Sequence, residues 1–216
     1  MVNLLNLKPN INKQRILKKL HIVEETEANK IAISIFDEVC EIIKEIMNLT
    51  VIYAETESLN LGFDELDNCK KHVICFISSK NDISEISSRM MNSGKYMQGY
   101  LIHEVAEDVI FSASNHVNKI IRSEAELSGY KLTKRYAAGD GTINLNKQQN
   151  ILDALKKEID VDVYLNEYDV LIPGMSLLYV FGLYKNDNTE RLKTSNNEEC
   201  SECSLCENLN CLYREE

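Results

Sequence analysis

The first segment that could form a ligand-binding site contains one arginine and two glycines. The stretch Arg135-Tyr136-Ala137-Ala138-Gly139-Asp140-Gly141 places one guanidinium a few residues from both glycines. A guanidinium can bind a carboxylate through two parallel hydrogen bonds, and glycine reaches φ > 0 and lets a ligand approach the main chain. The stretch predicts a site for a small ligand with an anionic end. A plain turn carrying a surface charge has the same composition, and this alternative stays open.

The same stretch also has a superficial likeness to the glycine loop of Rossmann-type methyltransferases. That loop requires a strand before it, a helix directly after it and an acidic residue at the end of the next strand. Here the glycines fall late in the chain, and residues 144–146 separate them from the next predicted helix. The sequence therefore favours a different kind of ligand site.

The second segment that could form a functional site is a cluster of cysteines near the C-terminus, which could bind a metal. Four of the seven cysteines, Cys200, Cys203, Cys206 and Cys211, follow a C-x2-C-x2-C-x4-C spacing. Thiolates two residues apart can converge on one metal ion, and four thiolates suit structural zinc. The spacing also lies near that of bacterial ferredoxins. An iron–sulfur cluster, zinc and unligated thiols are the three alternatives.

Composition limits the kinds of partner. The chain has 24 Lys and Arg against 34 Asp and Glu, a net charge of −10. This balance argues against nucleic acid, since binding there depends on neutralising phosphates. The N-terminus does not resemble a signal peptide, and no segment approaches the roughly 20 apolar residues that span a bilayer. We expect a cytoplasmic protein with no membrane partner.

The periodicity of apolar residues predicts helices interleaved with strands. Because the order lacks a regular βαβ rhythm, the sequence indicates an α+β fold with a mostly antiparallel mixed sheet and the long helices packed on one face. A shift to Asn, Thr, Ser and Glu predicts a domain over 1–185 and a linker with the Cys-rich tail over 186–216. Helices are predicted at 12–20, 24–48, 63–69, 82–92, 96–128 and 146–157, and strands at 51–54, 73–77, 130–136, 161–165 and 176–184.

These residues together resemble a known family. Arg135, Gly139 and Gly141, then a helix, Glu167, and Pro173 with Ser176 before an apolar strand, follow the pattern of the reactivation domain of vitamin B12-dependent methionine synthase. The span 129–183 is closer still to small free-standing proteins similar to that domain. One departure is Asp140, which stands where the family has Tyr.

The resemblance implies a protein that binds S-adenosylmethionine and assists reductive methylation of cob(II)alamin. The cobalamin would be held by a partner corrinoid protein or cobalamin-dependent methyltransferase, and an iron–sulfur cluster on the tail would supply an electron. The rival hypothesis is a non-catalytic docking adaptor with structural zinc on the tail. By position, the implied ligand contacts are Arg135 on the carboxylate, Ala137, Gly139 and Gly141 along the main chain, Ser176, and Phe181 against the adenosine.

Overall fold

A five-stranded antiparallel sheet organises the chain. The computed structural model describes residues 2–22, 26–57 and 59–185. The strands of the sheet are β1 (Val2–Leu7), β2 (Leu49–Thr56), β3 (Lys71–Ser79), β4 (Tyr130–Leu132) and β7 (Ser176–Lys185), in the spatial order β1-β2-β3-β7-β4. A separate hairpin pairs β5 (Tyr164–Leu165) with β6 (Leu171–Ile172).

Six α-helices connect these strands in the described part of the chain, and local sequence signals fix several of their ends. The side chains of Asn12, Thr26 and Asp82 each accept a hydrogen bond from a first-turn backbone N–H, as helix caps do. Gly129 follows the longest helix with φ of 77°, a left-handed conformation that suits glycine. The helices are α1 (Lys13–Lys19), α2 (Glu27–Ile46), α3 (Asp64–Asp67), α4 (Ile83–Asn92), α5 (Tyr96–Leu127) and α6 (Gln148–Glu158).

The central strands β3 and β7 are buried on both faces of the sheet. Alternate residues such as Cys75 and Tyr179 face the core formed with α1, α2 and α5. The intervening residues, such as Ile74 and Val180, face a second core formed with α6. Successive side chains of a strand point to opposite faces, so burial on both sides explains why β3 is an almost continuous apolar run. The predicted antiparallel sheet with both long helices on one face is confirmed.

A buried ion pair attaches α1 to α5. Arg15 donates to both carboxylate oxygens of Asp108 at 2.7 Å each, and it also donates to Ser112. Asp108 is fully buried. Removing one member of such a pair would leave a buried charge uncompensated, at a cost of about 3–5 kcal/mol. This contact therefore anchors α1 to the middle of α5.

The sequence-based elements differ from the structure mainly at short or exposed strands. The prediction omits β1, an edge strand whose residues alternate between exposed and half-buried, and it omits the two-residue β6. The strand predicted at 130–136 is interrupted, with β4 ending at Leu132 and a single bridge at Tyr136. The predicted division at residue 185 stays a prediction, because 186–216 lies outside the described residues. Within the described residues, no helix has the length and apolar character needed to cross a bilayer.

The burial of His72 on β3 predicts that the fold loses stability in mild acid. The ring is 1% exposed, and its Nε2 lies 2.8 Å from the Leu66 carbonyl oxygen. Burial lowers the pKa of His72 from its ordinary 6.5, so the folded state keeps the ring neutral, with Nε2–H donating. The unfolded chain takes up a proton below about pH 6.5. His72 therefore contributes stability above that pH that is lost as the pH falls below it.

A His72→Gln variant keeps a side-chain donor for Leu66 but cannot be protonated. Urea unfolding between pH 7.5 and 5.0 should show a steeper fall in the free energy of unfolding for the natural protein than for the variant. Parallel curves for the two proteins would show that His72 does not titrate with folding.

Candidate ligand site around Arg135

Strand alternation directs Arg135 towards α5. The neighbouring Tyr136 pairs with Val180 on β7 through two backbone hydrogen bonds of 3.0 and 2.8 Å, and its ring lies in the core beside α6. Arg135 consequently faces the opposite side of the sheet. Its Nη1 donates to Ser114 Oγ at 3.3 Å, and its Cζ lies 5.4 Å from the ring centroid of Tyr179. The half-buried guanidinium is thus held between α5 and β7.

The ring beneath the guanidinium is itself fixed. Tyr179 is 1% exposed, and its hydroxyl donates to Asn118 Oδ1 at 2.9 Å. Burial, and next the adjacent Cys75, raise the pKa of Tyr179 well above its ordinary value, so the phenol stays neutral. A neutral ring under a guanidinium supports a cation–π attraction. Ser114 and Asn118 are one helical turn apart on α5, so one face of that helix contacts both Arg135 and Tyr179.

The loop after Arg135 is closed by Asp140. The Asp140 carboxylate accepts hydrogen bonds from the backbone N–H of Ala137 at 3.0 Å, Thr142 at 2.8 Å and Ile143 at 3.3 Å. Gly139 on one side of the aspartate has φ of 87° and Gly141 on the other has φ of 93°. The left-handed backbone at both glycines is available to glycine without steric cost. The loop is therefore preorganised by its own side chain and backbone.

This closure decides which backbone groups remain for a ligand. The N–H of Ala137 is bonded to Asp140, and the N–H of Gly139 donates to the Ile143 carbonyl oxygen at 2.8 Å. The N–H groups of Ala137 and Gly139 are therefore already bonded within the loop, and the Ala137 carbonyl oxygen accepts a long hydrogen bond of 3.4 Å from the Asp140 N–H. Gly139 and Gly141 are both exposed, so the outer side of the loop is open to solvent.

The remaining predicted ligand contacts lie apart from the guanidinium. Ser176 opens β7, and its hydroxyl donates to the Pro173 carbonyl oxygen at 2.8 Å and lies 2.7 Å from Ser78 Oγ. Strand alternation places Ser176 on the sheet face opposite to that of Tyr179 and Phe181. The ring of Phe181 is 2% exposed and packs edge-on against Tyr179 with centroids 5.7 Å apart. In this structure it forms part of the core and presents no open face.

Sequence reasoning missed three residues that hold Arg135, namely Tyr179, Ser114 and Asn118. One signal was available for Ser114, because small residues in the middle of the long predicted helix at 112–114 suggest that another element approaches closely. The structure confirms such an approach at Ser114, which is fully buried and contacts Arg135. No comparable feature of the sequence indicated the roles of Tyr179 and Asn118. His103 and His116, the two histidines of α5, are exposed.

The predicted metal site lies outside the described residues, as Cys200, Cys203, Cys206 and Cys211 all fall in 186–216. Within the described residues, no group of three or more His, Cys, Asp or Glu side chains is arranged to hold a metal ion. Cys75 on β3 is a packed core residue, since it is fully buried and burial raises the pKa of its thiol to about 12. It is therefore unsuited to act as a thiolate ligand or nucleophile.

Comparison with known proteins identifies the fold. No protein-family model matches the sequence, and no curated protein matches it. Among solved structures, the chain is similar to the MetH reactivation domain bound to AdoHcy, with a TM-score of 0.60 and 9% sequence identity. The similarity covers 84% of this chain and 78% of the other. The chain therefore has the fold of a methionine synthase reactivation domain, as the residues around Arg135 predicted, while identity this low shows the fold alone.

The role of Asp140 in closing the loop can be tested by substitution. Asp140→Ala removes the acceptor for three backbone N–H groups, so the protein should lose about 1–2 kcal/mol of stability. Hydrogen exchange at the amides of Ala137 and Thr142 should accelerate by about tenfold. Asp153→Ala removes the same charge from α6, where Asp153 accepts only a side-chain bond from Gln149 in the described structure, and should leave both amides unchanged. Unchanged exchange in Asp140→Ala would mean that the glycine backbone alone closes the loop.

Proposed function

We propose that this protein binds S-adenosylmethionine and assists the reductive methylation of cob(II)alamin carried by a partner corrinoid protein. The observation that supports the proposal is the location of Arg135, held at a half-buried position in a fold shared with a domain solved with AdoHcy bound. AdoHcy is what remains of S-adenosylmethionine once its methyl group has been transferred.

Arg135 is the proposed contact for the carboxylate of the methionine portion. Its guanidinium is fixed by Tyr179 and Ser114 before any ligand arrives, so little conformational entropy is lost on binding. Partial burial lowers the local dielectric and strengthens a charge-assisted hydrogen bond. The carbonyl oxygens at Ala137 and Gly139 are suited to a donor, such as the exocyclic amino group of adenine. Gly141 remains a proposed contact of the same ligand. The predicted contacts of Ser176, on the opposite face of the sheet, and of Phe181, buried in the core, would require a rearrangement of this structure.

The proposed reaction needs both a methyl donor and an electron. An external reductant gives one electron to cob(II)alamin on the partner. The methyl group then passes from the sulfonium sulfur to cobalt, so that a carbon–sulfur bond breaks, a cobalt–carbon bond forms and AdoHcy leaves. This chain would supply the bound sulfonium in the correct orientation. The partner would dock over the face that carries Arg135 and the 137–141 loop.

The cysteine tail is the proposed route for the electron. Thiolates of Cys200, Cys203, Cys206 and Cys211 fit either an iron–sulfur cluster or zinc by donor type and spacing. An iron–sulfur cluster could pass an electron to the corrinoid, whereas zinc has no redox chemistry and would be structural. Structural zinc on the tail is what the docking-adaptor hypothesis predicts.

The contact between Arg135 and the carboxylate can be tested with two ligands. AdoHcy at one hundred times its dissociation constant should raise the free energy of unfolding by about 2.7 kcal/mol. Arg135→Lys keeps the charge but loses the planar fork, and it should weaken AdoHcy binding about tenfold or more in calorimetry. Binding of 5′-methylthioadenosine, which has no carboxylate, should be the same in both proteins.

Arg89→Ala is the matched control, because Arg89 is an exposed arginine on α4 that pairs with Glu85. It should not change the affinity for either ligand. Equal loss of AdoHcy and methylthioadenosine binding in Arg135→Lys would mean that Arg135 supports the loop and does not contact the carboxylate. No binding of either ligand at millimolar concentration would leave the adaptor hypothesis.

The reaction itself can be tested by following a labelled methyl group. The protein is mixed with a corrinoid protein loaded with cob(II)alamin, a strong reductant and methyl-labelled S-adenosylmethionine. The label should reach cobalt at a rate that Arg135→Lys lowers at subsaturating S-adenosylmethionine. A chain truncated after Lys193 should be slower only with a reductant that must act through the protein. If a complex forms but no label reaches cobalt, docking alone remains.

A further inference from the structure

A cleft lies beside the C-terminal turns of α5 and is lined by residues from that helix and from all five strands of the sheet. Its volume is about 260 Å³. The floor is apolar, with Val73 and Leu183 from the strands and Ile121 from the helix. Arg135 and the 137–141 loop are not among the residues that line it, so the cleft is separate from the site described above.

Negative charge converges on this cleft from two elements. Glu124 on α5 and Glu55 on β2 both line it. The last turn of α5 also ends here, and a helix C-terminus carries partial negative charge that a nearby cation stabilises. This last turn contains no basic residue. The helix itself therefore supplies no cation to its own C-terminal end beside the cleft.

Two tyrosines form walls that suit a cation with an apolar body. Tyr53 is almost fully buried, and its hydroxyl donates to Glu124 Oε1 at 3.0 Å, which holds that carboxylate at the cleft. Tyr130 also lines the cleft. The ammonium of Lys71 lies 5.8 Å from the Tyr130 ring centroid and 2.5 Å from Glu55 Oε1. One carboxylate and one aromatic ring at the edge of the cleft thus already hold an ammonium group.

We propose that this cleft binds a small organic ammonium ion, a primary amine with an aromatic or alkyl body. The ammonium group would donate to Glu124 and lie near the end of α5, and the body would cover the floor of Val73, Ile121 and Leu183. The cleft volume of about 260 Å³ lies just below the range of about 300–1,000 Å³ typical of sites for drug-sized ligands, so a smaller molecule suits it. Phenethylamine, with about nine non-hydrogen atoms, is a probe of matching size.

The test uses three probes of equal shape and different charge on the full chain. Phenethylamine is a cation at pH 7, 2-phenylethanol is neutral and phenylacetate is an anion. In an amide-resolved NMR titration at millimolar concentrations, phenethylamine should shift the amides of Glu124, Tyr130 and Leu183. The alcohol should bind at least fivefold more weakly, and phenylacetate should cause no saturable shift.

Substituting one glutamate at a time distinguishes a direct contact in the cleft from a general effect of negative charge at the helix end. Glu124→Gln keeps an acceptor for the Tyr53 hydroxyl and should weaken phenethylamine binding about fivefold, the upper range for an exposed ion pair. Glu126→Gln removes the same charge from the same helical turn, but Glu126 does not line the cleft. This control should leave the affinity unchanged.

Several outcomes would overturn the proposal. Equal binding of the amine and the alcohol would mean a cleft that selects for apolar bodies and not for cations. Equal weakening by Glu124→Gln and Glu126→Gln would mean a long-range charge effect with no contact in the cleft. No saturable shift with any probe would remove the site. Arg135→Lys should leave phenethylamine binding unchanged, so this proposal and the S-adenosylmethionine proposal can fail independently.

Discussion

Burial of β7 on both faces is the constraint from which the candidate site follows. Its even-numbered and odd-numbered residues enter separate cores, so Tyr179 must lie under α5 while Val180 lies towards α6. A phenol under a helix needs a hydrogen-bond partner when it is buried, and Asn118 supplies one. The face of the fixed ring is then available to Arg135, which lies in the segment between β4 and the Tyr136 bridge to β7. The position of the guanidinium is thus set by the packing of the sheet.

Helix α5 connects this constraint to the rest of the molecule. Over its 32 residues it forms the buried pair of Asp108 with Arg15, then contacts Arg135 through Ser114 and Tyr179 through Asn118, and ends at the cleft beside Glu124. A buried carboxylate in a bidentate pair with a guanidinium allows little sliding of one helix along the other. The Asp108 pair therefore fixes the position of α5 relative to α1.

Most of the fold was predictable because its long elements have regular apolar periods. The spacing of apolar residues alone predicts helices α2 and α5 and the buried strand β3, and the helix predicted at 82–92 is confirmed as α4. Strand β1 was missed because an exposed edge strand has little apolar pattern. Tyr179 was missed for a different reason: its partners lie about 61 residues away on α5 and 44 residues away at Arg135, and no local signal encodes such a contact.

Asp140 shows how a departure from a family pattern can have a local physical cause. In this chain the residue between the two glycines closes the loop, and its carboxylate accepts three backbone hydrogen bonds. An aspartate between glycines is a strong turn former, so the loop conformation does not depend on an aromatic at this position. An aromatic would add stacking against a ligand but could not accept these hydrogen bonds. In this chain the side chain at position 140 orders the loop, so Arg135 is the principal candidate for ligand recognition.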